Sequence, residues 1–105
     1  MKDISDAEFS DFIKNSDKPV LIDFWAPWCA PCRGLLPIIE DISKEMSDKI
    51  SIAKINVDSF TATAKQFSIT SVPTLLLFKG ENLIAQKSGA STKISLIEWI
   101  NKSIS

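Results

Sequence analysis

The chain has 105 residues, 45% of them hydrophobic, and a formal net charge of −1 with acidic and basic residues mixed along its length. That length suits one domain spanning residues 1–105 with a core that needs no cross-links. The mixed charge offers neither a nucleic-acid patch nor a basic membrane-surface face.

Lys2 to Ile4 reads as a brief strand. Ser5 and Glu8 have the spacing of a capping box. Phe9, Phe12 and Ile13 follow at helical intervals, which predicts a helix over 6–15. Asp17-Lys18-Pro19 is a turn. Val20 to Trp25, V-L-I-D-F-W, is a near-continuous apolar run of strand length, as expected of a strand covered on both faces. Asp23 interrupts it. Trp25 ends it and reads as core.

Leu35, Leu36, Ile38, Ile39, Ile42 and Met46 recur at intervals of three and four, predicting a helix from about Cys32 to Met46. Pro37 falls inside this helix and is expected to bend it. Ile50 to Val57 reads as a second interior strand, Thr61 to Phe67 as a short helix, and Thr74 to Phe78 as a third strand. Gly80-Glu81-Asn82 then connects to a fourth strand over Leu83 to Gln86, making a hairpin. Ser91 to Lys102 closes the chain as a helix, with Trp99 at a core position. The implied class is α/β: a mixed central sheet, a βαβ half plus a β-hairpin, flanked by about four helices on both faces.

No apolar run is long enough for a membrane-spanning helix. The stretch from Met1 to Phe9 has no signal-peptide character. Both points lead to the expectation of a cytoplasmic protein with no membrane or nucleic-acid partner. Histidine is absent, which removes the commonest general base and a common zinc ligand. Proton chemistry near neutral pH must then fall to a perturbed carboxylate, lysine or thiol.

The two cysteines, Cys29 and Cys32, lie in W-C-A-P-C between the first long strand and the long helix. Three uses are open to them. A structural disulfide would close a four-residue ring, worth roughly 2 kcal/mol against about 3 for a 15-residue loop. A metal site would have two thiolates but no third cysteine and no histidine. Thiol–disulfide exchange suits the position best. A sulfur at a helix N-terminus is stabilised as thiolate by unpaired N–H groups and the helix dipole. A second thiol one turn along can resolve the mixed disulfide on which a single cysteine would stall. Pro31 limits backbone freedom between them and starts the helix in a favoured position.

Asp23 has a reading of its own. A carboxylate in a buried apolar strand has its pKa raised by desolvation. It is the best candidate to take a proton from Cys32, through water. The competing reading is a strand-end aspartate paired with Lys54.

Beyond the cysteines, the strings V-L-I-D-F-W-A-P-W-C-A-P-C-R, V-P-T-L-L-L-F-K and G-A stand in order along the chain. On Asp23, Phe24-Trp25-Ala26, Trp28-Cys29, Pro31-Cys32, Pro37, Lys54, Asp58, Val72-Pro73-Thr74 and Gly89, the chain resembles the thioredoxin family over essentially its full length. The resemblance implies a protein-disulfide reductase with Cys29 as nucleophile and Cys32 as resolving thiol, the two forming a redox disulfide. It places Asp23 near Lys54. It implies that the Val72–Pro73 bond is cis, faces the cysteines and presents Val72 to an extended substrate.

Trp28, Ala30, Pro31, Val72, Pro73, Gly89 and Ala90 are then expected to form a flat, uncharged substrate patch around Cys29, with Gly89 permitting close approach of a partner backbone. No bound cofactor and no metal are implied. Reducing equivalents would come from NADPH through a flavoprotein, thioredoxin reductase. Clients would be disulfide proteins such as peroxiredoxins, methionine sulfoxide reductases and ribonucleotide reductase, and the protein would act as a monomer.

Four places depart from the family pattern, one of them the hairpin Lys79-Gly80-Glu81-Asn82, whose glycine stands one position earlier than usual. Ala30 replaces the usual glycine, and its Cβ favours helix. About 30 mV in a two-electron couple corresponds to about 1.4 kcal/mol, so this change bears on the reduction potential. Arg33 stands where lysine is common and is expected to change little. Phe60 replaces a polar residue and is expected to cover the short helix rather than widen the partner surface. A specialised oxidase or isomerase is an alternative within the same chemistry, although such relatives usually carry a histidine between the cysteines. A non-redox binding or chaperone subunit is an alternative from another class.

Overall fold

The structure, a computed structural model, describes residues 1–105. The nine elements are β1 (Lys2–Asp3), α1 (Asp6–Lys14), β2 (Val20–Trp25), α2 (Ala30–Glu45), β3 (Ser51–Asn56), α3 (Ala62–Gln66), β4 (Thr74–Lys79), β5 (Asn82–Ser88) and α4 (Lys93–Ile104). The strands form one mixed sheet in the order β1-β3-β2-β4-β5. β3 runs parallel to β1 and β2, whereas β4 is antiparallel to both β2 and β5.

Side chains alternate across a strand, and here the alternation separates two cores. Leu21, Ile52, Leu75 and Leu77 pack with Leu35, Ile39 and Ile42 of α2 and with Leu96 and Ile100 of α4. On the opposite face, Ile22, Phe24, Ile55, Leu76 and Phe78 pack with Phe9 and Ile13 of α1, and Phe67 packs against this group. Phe9, Phe67 and Phe78 meet edge to face in pairs, with centroids 5.6, 5.5 and 5.4 Å apart. By the same alternation Asp23 faces the α2 side with Leu21. That direction puts its carboxylate behind the cysteines.

Ser5 caps α1 as expected. Its Oγ accepts from the Glu8 N–H at 3.2 Å, and Glu8 Oε1 accepts from the Ser5 N–H at 3.0 Å. Every element lies within two residues of its expected bounds, and three of the shifts have a local cause. α2 begins at Ala30 rather than Cys32, because Ala30 and Pro31 both suit a first helical turn, and Cys29 becomes its N-cap. α2 then runs through Pro37 without interruption. β5 extends to Ser88, since pairing with β4 continues through polar Gln86 and Lys87 that carry no apolar alternation. α4 begins at Lys93, capped by the Thr92 hydroxyl, which accepts from the Ser95 N–H at 3.1 Å.

Within the β4–β5 hairpin, Leu77 pairs with Ala85 and Phe78 with Leu83, which leaves Ile84 as a bulge.

Candidate redox site

Cys29 and Cys32 lie where β2 gives way to α2, joined as a disulfide with their Cα atoms 5.2 Å apart. Both are only 3% exposed and pack with Ala26 against Trp25, Val57 and Val72. Cys29 takes the place a serine or aspartate fills in other helices. Its Sγ accepts a hydrogen bond from the Cys32 N–H at 3.1 Å. An N-cap acceptor offsets the unpaired N–H groups of the first turn and sits at the positive end of the helix dipole. A thiolate at Cys29 would receive that same bond and field once the disulfide opens.

The corner is tied down on two sides. The Arg33 guanidinium donates to the Pro27 carbonyl at 2.9 Å, spanning the turn. Trp28 Nε1 donates to Asp58 Oδ1 at 3.1 Å, and the Asp58 N–H in turn donates to Asn56 Oδ1 at 3.0 Å. Trp28 is 68% exposed, so this bond holds a large ring on the surface.

Across from the pair, the Val72–Pro73 peptide is cis. The Val72 carbonyl oxygen lies 3.7 Å from Cys29 Sγ. Pro73 is buried, Val72 half-buried, and the Gly89 N–H donates to the Pro73 carbonyl at 2.9 Å. Gly89 has φ +87, in the left-handed region that a side chain disfavours. A Cβ there would meet nothing within 4 Å, so the backbone demands glycine and the space above it is open to a partner. Trp28, Ala30, Pro31, Gly89 and Ala90 are all exposed. Between Trp28 and Val72 opens a groove of about 160 Å³, completed by Val57, Ala64, Ile69, Thr70 and Ser71.

Behind the cysteines, Asp23 is 1% exposed and its Oδ1 has no protein hydrogen-bond partner. Burial pushes its pKa up to about 7, against the opposing pull of the Lys54 ammonium on the neighbouring strand. Asp23 and Lys54 stand opposite each other in the β2–β3 register. Lys54 also lies 3.6 Å from Asp3 and 4.9 Å from the centre of the Trp25 ring. Asp23 is therefore buried rather than paired at a strand end: Lys54 faces it across the register and acts on its charge, but its ion pair is with Asp3. Asp23, Trp25, Cys32, Arg33 and Leu36 enclose a cavity of about 30 Å³, above the roughly 10–15 Å³ one water needs.

Trp25 is only partly buried, contrary to the core reading. It ends its strand where the sheet stops, and its buried Nε1 has no protein partner. Phe60 packs against the aromatic core with Ala64 and Phe67. It also borders, with Trp25, a larger cleft of about 400 Å³ that touches neither cysteine.

The sequence reading missed the groove wall from Ala64 to Ser71, the Trp28–Asp58 bond and the Arg33 tie. Each joins residues distant in the chain or folded back over a turn, and periodicity carries no signal for such contacts.

A dithiol–disulfide pair that caps a helix, faces a cis-proline loop and has a buried carboxylate behind it defines a protein-disulfide oxidoreductase. Comparison with known proteins places it further. The thioredoxin family model matches residues 1–102. The chain is 44% identical over 104 residues to a thioredoxin of Rickettsia prowazekii, covering 99% of each chain. It is 45% identical over 101 residues to a thioredoxin of Haemophilus influenzae, covering 96% of this chain and 94% of that one. A thioredoxin of Rhodospirillum rubrum is 39% identical over 104 residues, covering 99% of this chain and 100% of that one. The chain belongs to the thioredoxin family, and its chemistry is protein-disulfide reduction by thiol–disulfide exchange.

Proposed function

We propose that Cys29 is the attacking thiol and Cys32 the resolving one. The carrying observation is the N-cap position of Cys29, whose sulfur accepts the Cys32 N–H at 3.1 Å. In the reduced protein the Cys29 thiolate attacks one sulfur of a client disulfide. A Cys29–client bond forms, and the client's other sulfur leaves as thiolate. Cys32 then attacks Cys29 Sγ, the client's second sulfur leaves, and the Cys29–Cys32 bond closes. Two electrons pass to the client.

Asp23, half ionised near pH 7, takes the Cys32 proton through the cavity they share, which has room for a bridging water. A base is most effective when its pKa lies near the working pH. Lys54 lowers the pKa of Asp23 and keeps it within that range. Trp28, Ala30, Pro31, Val72, Pro73, Gly89 and Ala90 form the docking patch, with the Val72 backbone pairing to an extended client segment.

Thioredoxin reductase, drawing on NADPH, returns the electrons. The protein works as a cytoplasmic monomer on disulfide clients such as peroxiredoxins, methionine sulfoxide reductases and ribonucleotide reductase. No helix is long and apolar enough to cross a membrane.

Dithiothreitol-driven reduction of insulin tests the assignment. Cys29→Ser is expected to abolish turnover. Cys32→Ser is expected to accumulate a mixed disulfide through Cys29, visible by mass spectrometry. A mixed disulfide trapped on Cys32 in the Cys29→Ser protein, with none on Cys29 in the Cys32→Ser protein, would reverse the roles.

A further inference from the structure

The short helix α3 supplies one wall of the groove beside Cys29 through Ala64, and the chain leaving it supplies Ile69 to Val72. This helix lacks a cap of its own: the Thr61 side chain makes no capping hydrogen bond. Its first N–H groups go instead to a residue more than fifty positions away. Asp6 Oδ2 accepts from the Ala62 N–H at 3.0 Å, while Oδ1 accepts from the Thr63 N–H at 2.9 Å and from the Thr63 hydroxyl at 2.7 Å. Thr63 is 3% exposed. Burial alone would raise the Asp6 pKa, but the bonds from Thr63 and Ala62 outweigh it and the net shift is downward. At its other end α3 is followed by Phe67, which is locked between Phe9 and Phe78.

We infer that Asp6 is a positioning residue for client docking: by capping α3 from α1, it fixes the wall against which a client side chain beside Cys29 packs. This rests on the proposed docking patch, which shares Trp28 and Val72 with the groove that Ala64 lines. Asp6 borders neither the groove nor the cysteines, so it acts only through α3. Without the carboxylate, the first turn of a five-residue helix has no side-chain acceptor. A helix this short has little intrinsic stability to hold its place. A loosened wall weakens the fit of a protein client but leaves the sulfur chemistry intact. A small aromatic disulfide, which needs no groove, is then reduced at the normal rate.

The experiment compares wild type, Asp6→Ala, Asp6→Asn and Thr63→Val on insulin and on 5,5′-dithiobis(2-nitrobenzoate). Asp6→Ala is expected to raise KM for insulin about fivefold, the equivalent of one lost cap. Its kcat and its rate with the small disulfide stay within twofold of wild type. Asp6→Asn, which keeps one acceptor oxygen, falls between. Thr63→Val, which removes only the hydroxyl bond, shows the smallest rise. Amide exchange quickens at Ala62 and Thr63 while the Cys32 amide is unchanged.

Equal KM values for wild type and the folded variants overturn the inference. So does a parallel loss with both substrates, which would make Asp6 a general stability residue. If Asp6→Ala does not fold, Thr63→Val decides alone, and an unchanged KM there is a negative result. A wild-type protein that reduces the small disulfide but not insulin brings down the docking proposal and this inference with it. Insulin reduction by wild type with no KM change in the variants brings down the inference only.

Discussion

Asp6 and Asp23 are both aspartates held against packed structure, and their surroundings drive them in opposite directions. Asp6 receives three hydrogen bonds at the start of α3, and its pKa falls. Asp23 lies in an apolar strand with one oxygen unpartnered, and its pKa rises to about 7. Depth and donors both differ: Asp6 is half-buried and well supplied with donors, whereas Asp23 is fully buried with one oxygen unpartnered. A carboxylate supplied with N–H and O–H groups stays ionised and holds structure together. One denied them becomes a proton exchanger at neutral pH, and the fold carries the cost.

The largest effect expected from this contrast is on stability. A folded-state pKa near 7 against 3.8 unfolded means that the native protein binds the extra proton between those values. Stability therefore falls as pH rises from about 4 to 7, by up to about 4 kcal/mol. Asp23→Asn is expected to recover most of this at pH 8 and to match wild type near pH 4, as measured by urea unfolding of the oxidised protein. A wild type that gains stability over that interval would contradict the burial argument.

Turnover is next. Losing a general base typically costs about 100-fold or more. Asp23→Asn is expected to slow insulin reduction on that scale at pH 7, with the gap closing toward pH 9, where a thiol ionises without help. A deficit constant across pH would argue against proton transfer.

Removing the cation that restrains Asp23 sharpens the comparison further. Lys54→Met is expected to move the Asp23 midpoint upward by about 1 unit, followed by carboxyl carbon NMR in the oxidised state. A downward move would mean that Lys54 acts by excluding water rather than by charge.

The smallest effect belongs to Asp6. Asp6→Ala is expected to cost about 1 kcal/mol at pH 7. This contribution is present above the ordinary aspartate pKa and disappears as pH falls through the lowered one, where wild type and variant converge. Acid unfolding curves for the two proteins would show it.

Much of this was legible in the sequence. The apolar run of β2, the helical spacing of α2 and the capping box at Ser5 each follow from local chemistry. So did the two cysteines and the carboxylate in the strand before them. The rest depends on contacts between distant segments. Asp6 reads as an ordinary acid in a first helical turn, and nothing near it announces that Ala62 and Thr63 will be its partners. Arg33 reads as a lysine substitute, yet its guanidinium reaches back to the Pro27 carbonyl. β5 outruns its apolar residues because backbone pairing is indifferent to side-chain polarity. Ala30 suits a helix better than glycine does, and α2 starts there with Cys29 as its N-cap.

The bulge at Ile84 bears on how copies of this chain behave when crowded. β5 is the long open margin of the sheet, while the other margin, β1, is two residues long. An open margin with regular pairing groups is a template for another strand, and long runs of such contacts build fibrils. Ile84 stands out of register just after the hairpin turn, so the margin twists and its row of free backbone groups is broken. Lys87 adds a charge farther along it. Deleting Ile84 would make the row continuous and give another strand a longer margin to pair with.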